Sequence, residues 1–291
     1  MKIGTRGSQL ARWQAEWVRH RLGVGNAAEI VVIKTQGDAE VDRPLHELEG
    51  KGFFTKEIEE ALLDGRIDIA VHSLKDLPTS LPEGLALAAI PKRHDPRESL
   101  VGGNSLAALE PGTRVGTSSL RRIAQVRFMR PDLEVVPLRG NVPTRVRKVE
   151  NGEGLDAALL AIAGLERLEL GEKATIIDPF EVMPAPGQGA LGIEIRANDG
   201  ATRKALQPLH DTASATGVAA ERSLLAALGG GCQAPVAAWV EEGRLYGRVT
   251  ERDGAVQLTA SARIDPAVPA KAGEAVARLL EHQGAASLLA R

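Results

Sequence analysis

Aromatic side chains make up only 3% of this 291-residue chain, and it holds one cysteine, Cys232. Few aromatics leave little stacking surface for bases, so nucleic acid is not expected as a partner. One cysteine forms no internal disulfide, and no second cysteine or histidine pair stands near it to complete a metal site. The six histidines show no ligand-like spacing, so no metal is expected. No stretch reaches the roughly 18 apolar residues that cross a bilayer, and the start, Met1-Lys2-Ile3-Gly4-Thr5-Arg6, carries no apolar signal region. The expectation is therefore a cytoplasmic protein with no membrane association. A net charge of −2 gives no overall pull toward polyanions.

The chain does have Leu, Ile, Val and Ala for its cores, within 43% hydrophobic residues. Its length suits two or three domains. Strand and helix patterns alternate. Strands are predicted over 2–5, 29–34, 67–72 and 85–90, and helices over 8–22 and 55–64, with Ser8 and Thr55 as N-caps. A polar segment with two prolines, 91–96, reads as a linker. Beyond it the pattern predicts strands over 114–116, 134–138 and 156–161 and helices over 118–130, 142–149 and 162–168. Leu191–Arg196 is a strand without a helix of its own, read as a return into the first sheet. A helix over 212–228, strands over 236–241, 244–250 and 257–263, and a helix over 267–289 close the chain. No internal repeat is visible. The expected class is α/β with mostly parallel sheets and a small α+β unit at the end. The expected domains are 1–92 plus 191–209, 96–188, and 212–291.

Charge is unevenly spread. Between Gly112 and Lys148 stand nine basic residues, Arg114, Arg121, Arg122, Arg127, Arg130, Arg139, Arg145, Arg147 and Lys148, against Asp132 and Glu134. A locally basic stretch in an acidic chain points to an anionic ligand held there. Three turns run from a strand into a helix with basic and hydroxyl residues: Thr5-Arg6-Gly7-Ser8-Gln9, Gly116-Thr117-Ser118-Ser119-Leu120-Arg121-Arg122, and Leu138-Arg139-Gly140-Asn141-Val142-Pro143-Thr144-Arg145. Helix N-termini offer free N–H groups to anions, and arginine forks match carboxylates. The plain alternative for the second turn is a capped helix with surface arginines. Facing turns from two domains would close a basic cleft, where ligands of open α/β sheets bind.

Asp76 follows a strand in Val71-His72-Ser73-Leu74-Lys75-Asp76-Leu77-Pro78. It is either a general acid/base or cation stabiliser, or an aspartate bonded to its own turn. Gly187-Gln188-Gly189-Ala190-Leu191-Gly192 is a literal G-x-G-x-x-G, but a strand and not a helix follows, so a hinge is expected there and no dinucleotide site. Gly229-Gly230-Gly231 removes bulk ahead of Cys232-Gln233-Ala234-Pro235, so a large group can approach the sulfur. That sulfur is an attachment point for a covalent adduct, or else a small buried cysteine without chemistry.

Taken together, these segments resemble one family, the porphobilinogen deaminases, also called hydroxymethylbilane synthases. The resemblance rests on Thr5-Arg6-Gly7-Ser8, Gly50-Lys51-Gly52-Phe53-Phe54, His72-Ser73-Leu74-Lys75-Asp76-Leu77-Pro78, Gly116-Thr117-Ser118-Ser119-Leu120-Arg121-Arg122, Leu138-Arg139-Gly140-Asn141, Pro184-Ala185-Pro186-Gly187-Gln188-Gly189 and Gly231-Cys232-Gln233. They stand in the family's order and span nearly the whole chain.

The resemblance implies three domains, the first two like a type II periplasmic binding protein with a cleft between them. It implies a transferase of porphyrin biosynthesis that joins four porphobilinogen molecules, with loss of ammonia, into the linear tetrapyrrole hydroxymethylbilane. Cys232 would hold a dipyrromethane cofactor by a thioether. Asp76 would be catalytic, facing the pyrrole N–H groups. Lys75, Asp76, Gly116, Thr117, Ser119, Arg121, Arg122 and Arg139 would surround the cofactor. Arg6, Ser8, Gln14, Lys51, Phe54, Arg139, Arg145 and Arg167 would line the substrate's path. The segment Glu47-Leu48-Glu49 is acidic where some relatives are expected to be more basic, which puts a role for it in carboxylate binding in question. The expected partner is a small molecule only, with no obligate protein partner, and the expected state is a monomer. Two other readings compete. One is a two-lobed small-anion-binding protein without catalysis, disfavoured by the absent export signal and the extra domain bearing Cys232. The other is a cysteine hydrolase, for which no histidine near Cys232 can be assigned.

Overall fold

The computed structural model describes residues 1–23, 27–35, 55–230 and 234–290. In chain order the first elements are β1 (Lys2–Thr5), α1 (Gln9–Arg21), β2 (Glu29–Val32), α2 (Lys56–Leu63), β3 (Ile69–Ser73) and β4 (Leu85–Ala89). Next come β5 (Glu98–Val101), β6 (Arg114–Gly116), α3 (Leu120–Met129), β7 (Glu134–Val136), α4 (Val142–Glu150), β8 (Ala157–Ala161), α5 (Ile162–Glu166) and β9 (Ala174–Ile176). Then follow β10 (Leu191–Arg196), α6 (Gly200–Leu206), α7 (Thr212–Ala227), β11 (Val236–Glu241), β12 (Arg244–Thr250), β13 (Gln257–Arg263), α8 (Ala270–His282) and α9 (Ala285–Leu289).

The first sheet runs β2-β1-β3-β10-β4 and the second β7-β6-β8-β5-β9. The two orders are one pattern. In each, three parallel strands are followed by an antiparallel strand and then a last strand antiparallel to it. Four strands of each sheet thus run the same way, as the expected mostly parallel arrangement requires, and one, β10 or β5, runs against them. The repeat is one of topology, and the sequence carries no matching repeat of residues.

The antiparallel strand of each sheet continues a segment that crosses from the other lobe: 91–97 leads into β5, and 184–190 leads into β10. The two crossings bond to each other. His94 N donates to Gly189 O (3.3 Å), Arg93 Nε to Gln188 O (2.8 Å), and Gln188 Nε2 to Pro96 O (2.8 Å).

Each α/β sheet is covered on both faces, as strands with apolar side chains on both faces require. In the first, Ala15 and Val18 of α1 pack on Ile3, Ile69, Val71 and Ile193, and Ile58 and Leu62 of α2 pack on Ile67, Ala70 and Leu85. In the second, Val126 of α3 meets Val115, Leu159 and Leu100, while Val146 of α4 and Leu165 of α5 meet Val101 and Leu160. The third sheet, β11-β12-β13, is antiparallel and buries Val236, Ala238, Leu245 and Val249 under Leu224 of α7 and Val276 and Leu280 of α8. The single helix expected over 267–289 is broken into α8 and α9. Gly284 sits there at φ +102, a left-handed conformation that ends a helix and that glycine adopts without a side-chain penalty.

Candidate active site

The cleft is built on three strand-to-helix turns. After β1, Ser8 caps α1 by accepting from Ala11 N (3.2 Å). After β6, Thr117 is buried, with its N–H on Val136 O and its Oγ1 accepting from Ser119 N (3.3 Å). Asn141 caps α4, accepting from Thr144 N at 3.0 Å. Ser118 ties the second turn to the third, donating to Leu138 O (3.0 Å) and accepting from Leu138 N (3.1 Å). The Ser118 hydroxyl therefore fixes the second and third turns to each other. Gly116 is a packing position, where a Cβ would fall 2.4 Å from Leu155 Cδ1.

Between the lobes lies a cleft. Its polar lining is Ser73, Lys75, Arg122, Arg145 and Arg167; Leu10, Val142, Leu160 and Ala163 supply apolar walls. Lys75 leaves the end of β3 in a 3-10 turn, Leu74–Asp76, and donates to Gln188 Oε1 (3.3 Å) of the second crossing. Arg145 Nε donates to Gly140 O (2.8 Å). Arg167 Nη2 donates to Gly189 O (2.7 Å), and its guanidinium lies 5.9 Å from the Trp13 ring. Gln14, a buried residue of α1, donates to Ser73 Oγ (2.9 Å).

These cations carry the mark of lost hydration. Burial pushes Lys75 down to about 8, and Arg145 and Arg167 each down to about 10. Arg122 and Arg139 depress Arg145 further by repulsion, and Asp76 opposes that. Asp76 is thus near enough to act on both Lys75 and Arg145 across the cleft.

Arg121 and Arg122 are both 5% exposed, so they are not surface arginines on a capped helix. Both bond Glu98, which is fully buried. Arg122 lines the cleft, and its Nε is buried without a hydrogen-bond partner. Arg121 does not line it, and its Nη1 donates to Met183 O (2.6 Å). Arg6, Ser8, Asp76, Thr117, Ser119 and Arg139 stand on the segments around the cleft. Cys232, Lys51, Phe54 and Glu47–Glu49 lie outside the described residues, and the chain resumes at Ala234, just before β11. Among the described residues, no cluster of three or more His, Cys, Asp or Glu side chains could hold a metal ion, and no helix is long and apolar enough to span a membrane.

Several residues that matter here carried only a faint mark in the sequence. Glu98 and Glu194 are lone acids inside apolar strands, and Glu221 a lone acid in an alanine-rich helix. Each is fully buried on a basic partner: Arg121 and Arg122, His72 (3.0 Å) and Arg93 (2.7 Å) respectively. A charged residue inside an apolar element is the signal for such pairs.

The cationic lining fits a ligand carrying several carboxylates on apolar rings: buried guanidinium and ammonium groups with aliphatic walls between them. Comparison with known proteins agrees. Residues 1–204 match the family model described as porphobilinogen deaminase, dipyromethane cofactor binding domain, and residues 215–282 match the porphobilinogen deaminase C-terminal domain. The porphobilinogen deaminase of Syntrophotalea carbinolica is 48% identical over 300 residues, covering 100% of this chain and 95% of that protein. Those of Syntrophobacter fumaroxidans and Moorella thermoacetica are 47% and 48% identical over 299 residues, each covering 99% of this chain and 96% and 95% of theirs. With both family models matched and near-half identity along its whole length, this chain belongs to the porphobilinogen deaminase family.

Proposed function

We propose that this chain is a hydroxymethylbilane synthase that joins four porphobilinogen molecules head to tail, releasing ammonia at each addition, on a dipyrromethane primer bound through Cys232. The convergence of Lys75, Arg122, Arg145 and Arg167 on one cleft beside Asp76 carries this reading. Each pyrrole unit brings two carboxylates, and each charge-assisted contact contributes about 1.5–3 kcal/mol. Several such contacts in parallel retain a growing anionic chain between additions. When bound, the dipyrromethane supplies the free ring carbon to which the first substrate is joined.

The chain's own residues do the rest. Lys75, Arg122, Arg145 and Arg167, with Arg6, Arg139 and the turn hydroxyls of Ser8, Thr117 and Ser119, hold carboxylates. The Asp76 carboxylate faces ring N–H groups, steadies the positive charge that develops as ammonia leaves, and takes up or returns a proton at its own oxygen. Gln14 holds Ser73 at the cleft edge, and Lys51 and Phe54 complete the substrate's path. The domain limits proposed with this reading are 1–92 plus 191–209, 96–188 and 212–291. The same reading makes it a cytoplasmic monomer with a small-molecule substrate.

Intact-mass measurement tests the proposal. The purified protein should weigh more than its sequence by a two-ring adduct, and Cys232→Ser should lack that increment. A mass equal to the sequence, with no ammonia released from porphobilinogen, would favour the anion-binding protein instead.

A further inference from the structure

We infer that Arg222 is a positioning residue: from the third domain it holds the main chain on both sides of Asp76 and so aims the carboxylate that serves the reaction. The inference rests on the function proposed above, in which Asp76 steadies the positive charge that develops as ammonia leaves.

Asp76 stands in the 3-10 turn Leu74–Asp76. So short a turn is weakly held by its own bonds, and its last carbonyls need outside donors. Here the closing bond, Leu77 N to Leu74 O, is long at 3.3 Å. The start of the turn is fixed to the second crossing, where Leu74 N donates to Ala190 O (3.0 Å). Its end is fixed from α7. Arg222 Nη1 donates to Leu77 O (2.9 Å) and Leu74 O (3.3 Å), and its Nη2 donates to Pro78 O (2.5 Å). These carbonyls stand before and after Asp76 in the chain. A planar guanidinium holds them in one arrangement, which a single ammonium on a flexible stem does not.

Packing reinforces this hold. Leu74 and Leu77, on either side of Asp76, are buried in one cluster with Val218 of α7, and Ala215 packs against it. Ala215, Val218 and Arg222 fall on one face of α7 by helical spacing. Glu221, next to Arg222, ties the same helix to both crossings through Arg93 and Gly187 N. Gly187 in turn abuts the turn, since a Cβ there would lie 3.5 Å from Leu74 C and from Lys75 N. The Asp76 turn is therefore seated between α7 and the second crossing. Rate depends steeply on such a seat, because a misplacement of about 1 Å at a reacting group lowers turnover by about a hundredfold.

The test measures kcat and KM for porphobilinogen per primer-loaded molecule, with the loaded fraction counted by intact mass. Arg222→Met, which keeps an apolar stem without donors, should lower kcat about a hundredfold and leave KM within about threefold, because the cations that hold carboxylates stay in place. Arg222→Lys should bring kcat back to within about tenfold of the original. A merely structural role would lower the melting temperature and the loaded fraction and leave kcat per loaded molecule unchanged. A double-variant cycle then asks whether Arg222 acts through Asp76. Asp76→Glu keeps a carboxylate but displaces it, so adding Arg222→Met should lower kcat by less than about threefold more. Losses that multiply, an unchanged kcat in Arg222→Met, or a change confined to KM would each overturn the inference. So would a folded Arg222→Met protein without primer where Asp76→Glu is loaded, since the fault would then lie at the primer; primer missing from both is the shared loss the inference expects. If Arg222→Met does not fold, Arg222→Lys decides in the same cycle. A parent protein with no adduct and no ammonia release removes the proposed function; one that turns over equally well without Arg222 removes only this inference.

Discussion

Lysine in water titrates near 10.5, and Lys75 is pushed down to about 8. Loss of hydration is the main cause; Arg122 and Arg121 add to it, and Asp76 and Glu98 work against it. Keeping this ammonium charged therefore costs the folded protein stability below about pH 8. That cost fades as pH rises from about 8 toward 10.5, where only the unfolded chain still holds the proton. The same proton makes Lys75 a carboxylate partner, so binding should run in the opposite sense. We expect porphobilinogen affinity of the Cys232→Ser protein, measured by calorimetry, to fall as pH rises through about 8. Lys75→Arg, which stays charged, should flatten that fall. An affinity that is already level across this range in the Lys75 protein would take Lys75 out of carboxylate binding.

At the level of elements, the two crossing segments meet at a glycine. Gly189 has φ +82, and a Cβ there would lie 2.6 Å from His94 O and 3.1 Å from Asp95 O on the other crossing. The same peptide presents Gly189 O to Arg167, and Gln188 next to it receives Lys75. A side chain at 189 would strain the backbone and push the crossings apart at the point where they hold two cleft cations. Gly189→Ala should destabilise the protein by about 1–3 kcal/mol in urea unfolding and weaken porphobilinogen binding along with it. An unaltered unfolding midpoint would mean the crossings separate freely. Elements of this kind were readable because their signals are local. The strands over 236–241, 244–250 and 257–263 have the bounds that alternation and turns indicated, and the basic turns were visible as contiguous residues. The partners of those bases were not. Glu98 stands 23 residues from Arg121, and Glu194 stands 122 from His72, so neither pairing leaves a periodic trace.

Across the whole molecule, the third sheet and its helices brace the two lobes. Arg222 of α7 donates to Leu77 O (2.9 Å) and Pro78 O (2.5 Å), at the end of the turn that carries Asp76. Arg248 of β12 donates to Gln125 Oε1 (2.9 Å) and Phe180 O (2.8 Å) in the second lobe. Between them, Arg93 of the first crossing makes a two-pronged pair with Glu221 of α7 (2.7 and 2.8 Å), and Glu221 also accepts from Gly187 N of the second crossing (2.8 Å). One buried carboxylate thus holds both crossings to the helix that runs on toward Cys232. Removing one partner of a buried pair strands the other charge, at a cost of about 3–5 kcal/mol. Glu221→Gln and Arg93→Leu should each destabilise by that amount in urea, and the double variant should fall well short of the sum, because the second change removes the charge the first left stranded. Additive losses would show that Arg93 and Glu221 act independently, and that the brace rests on Arg222 and Arg248 instead.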